Sequence, residues 1–168
     1  MSYHERRIIV SLITGVVIIA AYCIYAFGRY QSGAVAADDL EFWARTMLIF
    51  IGIGVVVTIV IQIIFHILLA IGIAATKKIR DEQTDDKEIE KSINAEMVED
   101  EMDKLIELKS TRVSFAIAGV GFVGALLALL LDYSPAVMLN VLFISFCAGS
   151  ILEGFAQMYY YRRGIRHA

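Results

Sequence analysis

The sequence predicts an all-α integral membrane four-helix bundle, N-in and C-in, with a helical cytoplasmic extension between spans 2 and 3. Three observations carry that expectation. Four stretches, at about 8–28, 44–75, 113–131 and 135–160, reach or approach the roughly 20 apolar residues needed to cross about 30 Å of hydrocarbon. One substantial polar segment, 76–112, separates the second from the third. Lys and Arg gather on one side of the four stretches. With 58% of its 168 residues hydrophobic, the chain exceeds the apolar share of an ordinary soluble domain, about half. A single membrane domain over 1–168 is expected, with no room for a second globular unit.

Each element has a local reason. The first span, Ile8 to Gly28, ends among Tyr22, Tyr25, Phe27 and Tyr30, amphipathic rings suited to a membrane interface. Ala34-Val35-Ala36 imitates a signal-peptide cleavage site. The apolar run before it is longer than the about 7–15 residues of a signal h-region, so the span is expected to be retained. Asp38 with Glu41 three residues on reads as a helix start close to a capping box, and Trp43 follows at an interfacial position. Met47 to Ala75 would measure about 43 Å as a helix, so the second span must tilt or project.

The segment 76–112 is rich in Glu, Asp and Lys and has neither Pro nor Gly. Ile89, Ile93 and Met97 recur every four residues, a helical period. The segment is expected to be helical, either continuous with the neighbouring spans or broken near Asp81 to Asp86. Its strongly acidic part, Asp81 to Asp103, argues against nucleic acid or anionic lipid as a partner. Asp132-Tyr133-Ser134-Pro135 reads as a tight reversal, with Ser134 as cap and Pro135 at the first helical position. The last span runs into Tyr159-Tyr160-Tyr161 and stops at Arg162-Arg163.

Orientation follows from basic residues, which stay on the cytoplasmic side. Arg6 and Arg7 precede the first span. Lys77, Lys78, Arg80, Lys87, Lys91, Lys104, Lys109 and Arg112 fall in the polar segment, and Arg162, Arg163 and Arg166 follow the fourth span. The first connection carries only Arg29 and Arg45, and the reversal none.

Polar residues inside the spans are the sharpest chemical clue, because a charge in hydrocarbon needs a partner or a task. At 1.5 Å per residue, Gln62 and His66 on the second span lie at the same depth as Glu153 and Gln157 on the fourth. Each pair is spaced by four and shares a helix face. Ser11, Thr14, Arg112 and Ser114 reach the same layer. A polar layer near the inner interface is therefore expected, made of Ser11, Thr14, Gln62, His66, Arg112, Ser114, Glu153 and Gln157. In one reading Glu153 pairs with Arg112, or hydrogen-bonds His66 and Gln62, and sets helix register. In the other, Glu153 and His66 form a protonatable or cation-binding site, since His titrates near neutral pH.

Gly119-Val120-Gly121-Phe122-Val123-Gly124 matches the dinucleotide pattern G-x-G-x-x-G, but no strand precedes it and it lies mid-span. Its useful content is a packing face of Gly121, Gly124, Ala125 and Ala128, small residues that let helices approach. Cys23 and Cys147 lie within spans and have no ligand spacing. No metal site, cofactor or catalytic grouping of Ser, His and Asp is visible, so the chain is expected not to be an enzyme.

A short motif before the third span, Asp100-Glu101-Met102-Asp103-Lys104-Leu105-Ile106 leading to Lys109, and the terminal Tyr159-Tyr160-Tyr161-Arg162-Arg163-Gly164 resemble the small bacterial membrane proteins grouped under the domain of unknown function DUF2178. Members read Asp-Glu-Arg at the first motif, where this chain has Met102. The resemblance covers mainly the second half of the chain. It implies a four-span bacterial membrane protein with no assigned reaction.

The function expected from all of this is association. The chain would be an accessory or regulatory component of the cell (inner) membrane, a homo-oligomer whose acidic segment 76–112 meets a soluble cytoplasmic protein. The alternative is a small transporter or ion/proton pathway through Glu153, His66 and Gln62. Such a route has few polar residues to use in the outer halves: Tyr22, Thr58, Asn140 and Ser145.

Overall fold

A computed structural model describes residues 3–80 and 101–163. Four helices account for nearly all of them: α1 Tyr3–Gln31, α2 Leu40–Arg80, α3 Glu101–Leu130 and α4 Pro135–Arg163. Each is long and apolar enough to cross a membrane, with mean hydropathy between 2.0 and 2.9 over its best stretch. Among the described residues there is no strand. The polar segment is helical at both of its described ends: 76–80 continues α2 and 101–112 opens α3. The expected break near Asp81 to Asp86 and the period through Ile89, Ile93 and Met97 lie outside the described residues. At 41 residues, α2 measures about 62 Å, twice the hydrocarbon thickness.

The helix ends have identifiable stops. At the end of α1 the Ala34 amide donates to the Arg29 carbonyl and the Gly33 amide to Tyr30, with Gly33 at φ 71°. The end of α3 repeats the pattern: Tyr133 donates to Ala128 and Asp132 to Leu129, with Asp132 at φ 61°. Both are left-handed terminations in which two otherwise orphaned carbonyls gain donors. The start of α2 corrects one expectation. Asp39, not Asp38, caps it, its Oδ1 accepting the Phe42 amide at 3.0 Å. Glu41 turns outward and pairs with Arg45 one turn on, at 2.8 Å. Pro135 opens α4, where a missing amide donor costs nothing.

Packing centres on α4. It lies against α3 over much of its length and also touches α1 and α2. The backbone of α3 approaches neither α1 nor α2, and α2 meets α1 and α4 only lightly. Small residues set these distances. A Cβ on Gly121 would run into Cβ and Oγ of Ser145, and one on Gly149 would stand 3.0 Å from the Ser114 carbonyl oxygen. On the other flank, a Cβ on Gly154 would stand 2.7 Å from Leu12. Gly121 and Ala125 are buried in the α3–α4 seam, and the Gly124 position meets Val141 at 3.7 Å.

The best-packed core lies at the end of the molecule that holds both short connections. Tyr22, Ala26, Trp43, Met47 and Ala136 are buried there, with Phe27, Phe42, Phe50, Leu139 and Phe143 against them. The opposite end, where α1 begins and α4 finishes, is more open.

The seam makes a testable contrast between two glycines of one helix. Gly119 has open space where a Cβ would go, so Gly119→Ala should gain up to about 1 kcal/mol from helix propensity. Gly121→Ala brings the same propensity gain but collides with Ser145, and should lose about 1–3 kcal/mol overall. Thermal unfolding in a single detergent checks the opposite signs.

Candidate functional site

The open end holds a cavity of about 490 Å³ lined mainly by α1 and α4, with α3 contributing Asp103, Ile106 and Glu107 and α2 contributing Gly54 and Thr58. Its mouth is polar: Arg7 from α1, Asp103 and Glu107 from α3, and Tyr161 from α4. Midway lie Ser11, Thr14, Ser150, Glu153 and Gln157. The far end is lined by Ile18, Ile19 and Cys147. From Tyr161 to Cys147 along α4 is about 21 Å.

Two hydrogen bonds tie the walls of the cavity. Tyr161 donates its hydroxyl to Asp103 Oδ1 at 2.6 Å. Thr111 donates its hydroxyl to Glu153 Oε1 at 2.8 Å. Both span α3 and α4, so they hold the cavity floor at a set angle to one wall. Glu153 is half-buried, and among the described residues no basic side chain lies within ion-pair distance of it.

The polar layer expected from sequence is assembled in part. Ser11, Thr14, Glu153 and Gln157 share the cavity. Ser114 is half-buried and sits in the α3–α4 seam, against Gly149. Gln62 and Arg112 are exposed and join neither. The His66 side chain lies outside the described residues. The pairing of Glu153 with Arg112 gives way to the bond from Thr111. One residue along a helix is about 100° of rotation, so the register along the axis is the expected one and the facing residue is its neighbour. Sequence reasoning missed Thr111, Arg7, Asp103, Glu107 and Tyr161. Matching depths would have picked out Arg7, Asp103 and Tyr161 as one layer. Nothing in the sequence separates Thr111 from Arg112 as the inward residue.

The far end of the cavity is closed. One turn beyond Ile19, Tyr22 is wholly buried. Its hydroxyl donates to Asn140 Oδ1 at 2.7 Å, and Asn140 Nδ2 donates to the Ala136 carbonyl at 2.9 Å. The Tyr22 ring packs against Phe143 with centroids 4.5 Å apart and edge-on to Phe50 at 5.5 Å. These contacts fill the space between α1, α2 and α4 beyond Ile19. The described residues contain no group of three or more His, Cys, Asp or Glu that could hold a metal ion.

Two substitutions check the hydrogen bonds. Thr111→Val leaves the Glu153 oxygen without its donor and should lower stability by about 1 kcal/mol, with Thr111→Ser close to wild type. Tyr22→Phe strands Asn140 Oδ1 in the dry core and should cost about 1–2 kcal/mol. Both are read from unfolding in detergent. None of the family models, curated proteins or solved structures compared with this chain matches it.

Proposed function

We propose that this chain is a non-enzymatic, multi-pass membrane protein that acts by association at its cytoplasmic end and does not pass a solute across the bilayer. One observation carries the reading: polarity is one-sided. The cavity and the helical ends that outrun the hydrocarbon all lie where α1 begins and α4 finishes, and the Tyr22 cluster closes the other side. The distribution of Lys and Arg assigns the open end to the cytoplasm. The termini are then both inside, in a bacterial inner membrane of the kind the DUF2178 resemblance implies.

In this reading the chain is an accessory or regulatory component. The projecting ends of α2 and α3 flank the acidic part of 76–112 and offer it to a soluble cytoplasmic protein. Self-association would proceed through the lipid-facing helices. Gly52 and Gly72 on α2 have open space beside them, and small residues admit a second helix closely.

A small transporter or ion/proton pathway stays as the second reading, because the cavity reaches Glu153. Flux separates the two. Proteoliposomes holding the full chain should move protons and monovalent cations no faster than empty vesicles, and Glu153→Gln should change nothing. Flux abolished by that substitution would instead establish transport. For association, a photo-crosslinker at exposed Leu108 should form an adduct with a soluble protein in cells. Adducts with copies of the chain alone would overturn the soluble partner.

A further inference from the structure

We propose that the cavity binds a hydrophobic primary amine, with its ammonium against Glu153 and its apolar part toward Ile18 and Ile19. The proposal concerns a ligand at a site to which the association reading gives no task, and either can fail without the other.

Four observations converge on that class of ligand. The volume, about 490 Å³, lies in the range of small-molecule sites. Its lining is graded, polar at the mouth and middle and aliphatic at the far end, which suits an amphipathic molecule entering tail first. Its charge is one-sided: among the described lining residues, the carboxylates of Glu107 and Glu153 outnumber the guanidinium of Arg7. Finally, Glu153 is half-buried within a span and, among the described residues, meets a neutral hydroxyl and no cation. A carboxylate at that depth calls for a countercharge.

An ammonium beside Glu153 supplies one. It carries three donors, and a charge-assisted bond to the carboxylate is among the strongest it can make. Gln157, Ser11 and Ser150 line the same stretch and provide acceptors for the remaining hydrogens. The bond from Thr111 aims the carboxylate without neutralising it. A hydrated inorganic cation would have no use for the aliphatic end, and an anion would face the carboxylates. The amine could belong to a lipid headgroup or to a free hydrophobic molecule, and the experiment below separates these.

Cys147 lines the cavity near its far end, whereas Cys23 does not line it. In full-length protein carrying Cys23→Ala, in phosphatidylcholine nanodiscs, Cys147 is titrated with cationic 2-aminoethyl and anionic 2-sulfonatoethyl methanethiosulfonate. Both rates are divided by those for a free thiol in solution. The normalised preference should favour the cation by about tenfold, as attraction in a low-dielectric cleft requires, and Glu153→Gln should erase it. Octylamine should slow labelling while octanol, its neutral isostere, should not. The same protection on exchanging the lipid for phosphatidylethanolamine, with no added amine, identifies a headgroup as the source. Protection by octylamine alone identifies a free amine. Equal normalised rates for the two reagents, or equal protection by octylamine and octanol, overturn the proposal. The octanol arm uses protein with an intact Glu153, so the test stands even where Glu153→Gln fails to fold.

Discussion

The close approach of α4 to its neighbours is the constraint on which the rest of the structure depends. Between helices in lipid the hydrophobic effect gives no net pull, so contact distance and hydrogen bonds decide which helices meet. On α4, Ser145 fits against Gly121 of α3, Gly149 admits the Ser114 backbone, and Gly154 admits Leu12 of α1. These contacts lie on two flanks of one helix. α1 and α3 are thereby both held to α4 while their backbones stay apart, and the cavity lies at the end where α1, α3 and α4 converge.

The same arrangement ends differently at the two ends of the molecule because the side chains differ. Toward the connections the residues are aromatic and large. Tyr22, Phe50 and Phe143 fill the space, and edge-on and tilted ring contacts add to their burial. Tyr22 brings a hydroxyl into that dry region, and Asn140 satisfies it. Toward the termini the buried residues are Ile8, Leu12, Ile106 and Ser110, and the space beside them is left open. Glu153 stands midway along the cavity. It is held from one side by Thr111 and open to the cavity on the other.

Depth was legible in the sequence and azimuth was not. A rise of 1.5 Å per residue from Trp43 or Pro135 brought Ser11, Thr14, Glu153 and Gln157 to one level, and they share one cavity. The same arithmetic assigned Gln62 and Arg112 to that level, yet neither lines the cavity. α2 meets its neighbours only lightly, and Gln62 stays exposed. For α3 a step of one residue was enough to exchange Arg112 for Thr111. The cap of α2 shows the same limit on a smaller scale. Asp38 and Asp39 are equally good caps by type, and backbone geometry chose the second.

By itself, the sequence determined that the described residues form helices and no strand, that four helices are long and oily enough to cross a membrane, and which polar residues share a depth. These follow from composition and rise per residue, which are properties of a single helix. Only the tertiary structure decided that the α3 backbone packs on α4 alone, that Thr111 holds Glu153, and that a cavity lies beside the buried Tyr22 cluster. Those depend on how each helix is turned about its axis. In a lipid-facing helix that rotation is settled by the shapes of the neighbouring side chains.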